Sequence, residues 1–441
     1  MLRPLFCLIA LASLAHAGDW PSFRGTYASG VADEQDLPLT WDAKTGEGIR
    51  WKTAIAGLGH ASPIISGHQI FISTAVSGTG KASFKPGLYG SGDASPDTSE
   101  HTWRLVSLDK TTGEILWDQE VTRGKPIDKR HIKATHANAT PATDGKHVVA
   151  FFGSQGLFGY TMDGEQIWQR DLGRLNTGAY DLPEYEWGSA SSPVIHQGRV
   201  IVQCDTQGDS FLLALDVANG ETLWKIDRDE LPSWGTPTIF PNQGRTEILT
   251  NGSNFIRSND FRDGHELWRL GGSSKITAPT PVFTYGIIIV ASGRAPERPI
   301  FAIRPGANGD ISLQKGETSN TFIRWSKTKR GPYMPTPLIY RKRVYTLGNE
   351  GLVGCYDLFT GEEQFYARVP EHVLGFSASP VAADGRIYLA GEVGQVFVIE
   401  AGDVFNLLAQ NEMGEALMAT PALSDGALYI RGERHLFAVG K

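Results

Sequence analysis

The 441-residue sequence predicts an all-β fold, a single eight-bladed β-propeller of four-stranded blades. Three observations predict it. A Ser/Thr-Pro step recurs eight times, the closest copies 41 to 44 residues apart, near the repeat length of a four-stranded blade. A turn-and-strand pattern, Asp-x-x-Thr-Gly-Glu-x-x-Trp, recurs inside the units. Composition agrees: 51 Gly, 24 Pro and 11 Trp stand among strand formers, and only 20% of residues are charged.

The steps are Ser62-Pro63, Thr140-Pro141, Ser192-Pro193, Thr236-Pro237, Thr280-Pro281, Thr336-Pro337, Ser379-Pro380 and Thr420-Pro421. Each opens a short apolar strand, as at Val194-Ile195, followed by a Gly turn and an alternating strand such as Arg386 to Ala390. A third strand then ends in Asp, and a Thr-Gly-Glu turn leads into a fourth strand bearing Trp. The clearest copies are Asp109 to Trp117 and Asp216 to Trp224; weaker ones end at Trp168, Trp268 and Trp325, and Phe365 takes the place in the sixth unit. Gly at the turn accepts positive φ and Asp caps the turn amides. The Trp offers a flat apolar face to the next blade, so it is structural. The eighth unit ends at Lys441 without a fourth strand, while Asp42 to Trp51 supplies one; residues 45–52 are expected to close the ring and remove a sheet edge.

Before the first unit, Arg3, an apolar run from Leu5 to Ala15 and Ala15-His16-Ala17 read as an export signal over residues 1–17, leaving the propeller as residues 18–441. Cys7 is a poor lipid-attachment site, so the expectation is a periplasmic or extracellular protein without a lipid anchor. No apolar run is long enough to span a membrane. The net charge of −7 argues against a nucleic-acid binder. Cys204 and Cys355 fall three blades apart, too far to bridge.

The repeat resembles the pyrroloquinoline-quinone (PQQ) type propeller of quinoprotein dehydrogenases and of the BamB-type lipoproteins of outer-membrane protein assembly. The opening Asp19-Trp20-Pro21-Ser22-Phe23-Arg24-Gly25 resembles exported PQQ-like propellers. The resemblance implies the fold over residues 19–440. Two departures bear on function: the chain has no adjacent cysteine pair of the quinoprotein dehydrogenase kind, and its leader lacks a lipobox.

Propeller geometry sends the connections 76–102, 122–138, 172–189, 291–299 and 326–334 to one face, here called the top, and short Gly turns to the bottom. Long loops on a rigid scaffold are where binding residues collect. The top loops carry a basic excess, with Lys129, Arg130 and Lys133 beside His131 and His136, then Arg294, Lys329 and Arg330. Such a face steers an anionic small molecule or envelope protein. Trp187 and Trp234 precede innermost strands near the channel mouth, where they could stack a planar ligand. A phosphate-loop echo at Ser77 to Lys81 lacks its first Gly and final Ser/Thr, and no H-E-x-x-H, C-x-x-C or G-x-S-x-G motif occurs. The leading expectation is a non-catalytic binding scaffold. The alternative is a PQQ-dependent dehydrogenase, its Ca²⁺ held by oxygen donors such as Glu186, Asn138 and Asp205.

Overall fold

The computed structural model describes residues 18–80, 82–88, 94–182, 184–242, 244–370 and 375–441. The expected export signal over residues 1–17 lies outside them. Eight antiparallel four-stranded sheets follow one another around an axis. Blade 1 is built from Ile64–Ser66, Gln69–Ser77, His101–Asp109 and Ile115–Gly124, innermost strand first. Blades 2 to 7 span 142–170, 194–228, 238–270, 282–327, 338–368 and 381–412. Blade 8 takes three strands from 422–440 and its outermost from Ile49–Ala54, which pairs with His435–Gly440 through Trp51 opposite Ala438. The ring closes as the sequence predicts, with the strand placed two residues later than 45–52 at its end.

The Ser/Thr-Pro repeat has a specific task. Each Ser/Thr hydroxyl accepts the backbone N–H of the corresponding residue in the preceding unit: Ser62 N–H donates to Thr140, Thr140 to Ser192, Ser192 to Thr236 and Thr236 to Thr280. The circuit continues through Thr336, Ser379 and Thr420 and returns to Ser62, all eight bonds between 2.9 and 3.1 Å. These buried amides lie two residues before the inner strands begin, and the side-chain acceptors keep them from burial without a partner.

The Asp-Gly-Trp pattern forms the seams. Asp109 Oδ1 accepts the Thr111 and Thr112 N–H groups and shapes the turn. Gly113, at φ +75°, then lies flat against Trp51 of blade 8, whose indole N–H donates to the Lys110 carbonyl at 3.1 Å. The same docking recurs for Trp117 on the Met162 carbonyl, Trp168 on Val217, Trp224 on Phe261 and Trp325 on Leu358. In all eight blades the fourth strand is bulged at the same place, one residue before an aromatic in seven of them and before Ala409 in blade 7, which increases the local twist.

Two features depart from the expectation that the bottom carries only minimal turns. In blade 5 the third and fourth strands are joined by residues 304–322, and Gly309–Asp310 adds to blade 4 as a fifth, parallel strand beside Trp268. Trp268, lacking the usual docking turn, donates to Glu247 of its own blade. The second feature is the N-terminal segment. Trp20 pairs with Ile65 of blade 1, Thr143 N–H of blade 2 donates to the Pro21 carbonyl, and Val31 pairs with Ala382 of blade 7. Between these points the strap crosses the axis, and Arg24 is wholly buried there with its five N–H groups on the carbonyls of Ala28, Ser29, Thr336, Pro337 and Pro380. Cys204 and Cys355 are buried and unpaired, and burial pushes the Cys355 thiol up to about 12. No helix among the described residues is long and apolar enough to cross a membrane.

Candidate functional site

The long loops do lie together on the face where the inner strands begin, and they surround a cup of about 550 Å³. Its volume falls in the range that holds small ligands. All eight Ser/Thr residues of the hydrogen-bonded ring line it, and Phe23 of the strap lies at its base, so the channel is blind rather than open through the axis. The upper wall is aromatic and apolar: Trp187, Trp234, Tyr333, Met334, Met418 and Ile276.

Trp187 and Trp234 stand with ring centroids 5.8 Å apart and planes tilted by 37°. The Trp234 indole N–H donates to the Gly188 carbonyl, while that of Trp187 is buried with no partner among the described residues. His131 presents its ring edge-on to Trp187, and its Nδ1 accepts the Lys133 N–H. Asn138 lines the wall but spends its side chain on the loop, accepting from Thr135 and donating to the Ser189 carbonyl. His60 Nε2 bonds the Lys133 carbonyl, and burial lowers its pKa to about 4, so the ring is neutral.

The basic patch read from the loops disperses once folded. Arg130 is buried and donates to the Ala134 and Ser83 carbonyls, bracing the loop from within. Lys133 does reach the cup, but its Nζ is 2.6 Å from the buried carboxylate of Glu392 and 2.8 Å from the Gly87 carbonyl. Lys129 is exposed and borders a separate cleft of about 30 Å³ with His136. Burial, with His101 and Arg130 nearby, lowers His136 to about 3. Lys329 and Arg330 border another small cleft, where Arg330 pairs with Glu363 at 3.0 Å and covers the Tyr366 ring. Arg294 lines the cup and makes no side-chain hydrogen bond or ion pair among the described residues. Of the twelve residues assigned to the top face from the sequence, Arg294, Trp187, Trp234, His131, Lys133 and Asn138 line the cup, and Lys129, Arg130, His136, Glu186, Lys329 and Arg330 lie outside it.

The oxygen donors named for Ca²⁺ do not converge. Glu186 accepts from Arg174 at 2.6 Å and from the Lys129 N–H at 2.9 Å. Asp205 is buried against Arg228 at 2.8 Å and also accepts from Gln203 and Ser233. Neither carboxylate borders the cup, and among the described residues no Asp or Glu does. The described residues therefore offer no carboxylate set for a calcium ion at the cup.

Phe23, His60, Tyr333, Met334 and Met418 are cup residues that sequence reasoning missed. A signal existed for four of them: Phe23 lies in the conspicuous opening motif, and His60, Met334 and Met418 each precede a Ser/Thr-Pro step by two residues.

The comparisons with known proteins agree with this architecture. The family model described as outer membrane protein assembly factor BamB matches residues 13–227 and 101–275. No curated protein matches the chain. Among solved structures, BamB from Moraxella catarrhalis is similar at 14% identity and a TM-score of 0.52, over 80% of this chain and 96% of that one. Quinohemoprotein alcohol dehydrogenase from Comamonas testosteroni is similar at 12% identity and a TM-score of 0.60, over 97% and 82%. The computationally designed Ika8 protein reaches 0.56 at 12% identity, over 88% and 97%. At such identities the structural likeness establishes the fold alone. With the repeat, the closed ring and the family match in agreement, the chain belongs to the PQQ-like β-propeller family.

Proposed function

We propose that this propeller is a non-catalytic binding scaffold of the cell envelope that receives a ligand, or a segment of an envelope protein, in the top-face cup. The blind cup carries the reading. Its ring hydroxyl oxygens accept backbone N–H groups, its histidines bond to the loop backbone, and its wall offers aromatic faces and a guanidinium unpaired among the described residues, which suit recognition. The family match to a BamB model supports the envelope setting.

A photo-crosslinking residue placed at exposed Leu88, beside the cup, is expected to trap an envelope partner or shield on ligand addition; the same residue at Tyr285 on the bottom is not. Trapping at 285 alone would refute the assignment of the working face. The second reading, a PQQ-dependent dehydrogenase, is favoured by Trp187, Trp234 and Arg294 around a cup of suitable size. It predicts that protein incubated with PQQ and Ca²⁺ reduces an artificial dye when given a primary alcohol. The scaffold reading predicts that it does not.

A further inference from the structure

The polar inventory of the cup narrows what it can hold. Four lining residues carry a basic nitrogen: His60, His131, Lys133 and Arg294. His60 is neutral and bonded to the Lys133 carbonyl. His131 accepts the Lys133 N–H through Nδ1. The Lys133 charge is met by Glu392, which is fully buried and also accepts from Ser377 and the Gly87 N–H. Arg294 is the remaining cation, and no carboxylate lines the wall among the described residues to answer it. The indole N–H of Trp187 is a further donor without an acceptor among the described residues. Around these two donors stand the apolar and aromatic side chains of the upper wall, and the remaining polar groups of the lining, the ring hydroxyls among them, are uncharged.

We propose that the cup is a receptor for one carboxylate carried on an apolar or aromatic body, the acid on Arg294 and the body against Trp187 and Trp234. The inference rests on the cup being the binding site and goes further by setting the ligand's charge. A tricarboxylate would bring three negative charges to one unpaired cation. Two of them would be stripped of water without an ion partner, and uncharged hydroxyls do not neutralise them. A monoacid is matched: one charge-assisted, geometrically specific pair with a guanidinium, and burial for the rest. A free aromatic acid and the C-terminal residue of a polypeptide share this chemistry.

Calorimetry on the full chain separates the cases. The probes are indole-3-propionate and its amide, the tripeptide Ala-Ala-Trp with free or amidated C-terminus, and PQQ with Ca²⁺. The acid of at least one pair is expected to bind about ten- to a hundredfold more tightly than its amide, the worth of hydrogen bonds to a charged group. Arg294→Gln should erase that difference, while Trp187→Leu should weaken acid and amide alike. Which pair shows the preference identifies the source. Equal binding of acid and amide, or a preference that survives Arg294→Gln, overturns the proposal. Binding of PQQ with Ca²⁺ but of neither monoacid overturns it and leaves the cup as the site. Binding of no probe overturns both.

Discussion

Thr280→Val isolates one link of the hydroxyl ring. Thr280 is 1% exposed, and its Oγ1 accepts the Thr236 N–H at 3.1 Å. Valine keeps the shape and removes the acceptor. Thr280's own N–H still reaches Thr336 Oγ1 at 3.0 Å, so the loss is confined to one bond. The orphaned Thr236 amide is buried, and such a donor costs about 1–3 kcal/mol. Urea unfolding followed by tryptophan fluorescence should show a lower midpoint at unchanged slope, and hydrogen exchange should show the Thr236 amide losing protection. Thr328→Val, at an exposed threonine on a top loop, should move stability by no more than about 0.5 kcal/mol. Ser62→Ala removes the acceptor of Thr420 N–H on the opposite side of the ring. Combined with Thr280→Val it tests whether the bonds are independent, in which case the costs add, or polarise one another, in which case the pair departs from the sum. If Thr280→Val costs less than about 0.5 kcal/mol and the Thr236 amide stays protected, the ring is not holding the strand ends.

Four further outcomes can be checked. Gly113→Ala places a Cβ 2.5 Å from the Trp51 ring at φ +75° and should cost well beyond the roughly 1–2 kcal/mol of a left-handed residue alone; Gly67→Ala, at φ +58° with open space around it, should cost only that conformational part, as denaturation midpoints will show. Arg431 is 1% exposed with none of its guanidinium nitrogens partnered, and burial lowers its pKa from 12.5 to about 10, a penalty of about 3 kcal/mol; Arg431→Met should stabilise the fold at neutral pH, with the gain shrinking above pH 10, measured by unfolding at both pH values. His60 and His136 have folded pKa values of about 4 and about 3 against 6.5, so the unfolded chain binds protons first and stability should fall from pH 7 toward pH 4; His136→Phe should flatten that slope. Deleting residues 18–54 removes the outermost strand of blade 8 and the strap, and should leave a chain that aggregates or melts without a single sharp transition in scanning calorimetry.

The fold was legible because its signals are local and repeated. A Pro after a hydroxyl, an Asp-Gly turn and a Trp at fixed offset mark each blade, and the orphan copy at Asp42 to Trp51 announced the closure. The 304–322 excursion was not legible, since it replaces the turn in one blade and its pairing is with another blade. The site was legible only by loop, not by side chain. Counting charges along the top loops found Lys133 and Arg294 together with Arg130 and Arg330, because sequence shows that a residue is cationic but not that Glu392 or Glu363 waits for it. The floor was invisible for the same reason: Arg24 finds three of its five acceptors, Thr336, Pro337 and Pro380, more than 300 residues away.

That distance has a consequence for biosynthesis. The strap and the closing strand are the first parts of the propeller to be made, yet their partners, Ala382 and His435–Gly440, are among the last. During elongation blade 1 has no neighbour on one side, Trp51 has its docking turn but not its sheet, and the cup has its base residue Phe23 without a complete wall. Contacts of such long sequence separation form late, and until they do an unpaired strand edge is open to other chains. A nascent chain stalled before blade 8 would therefore be an open arc with an exposed strand edge, and the final strand would close both the ring and the cup.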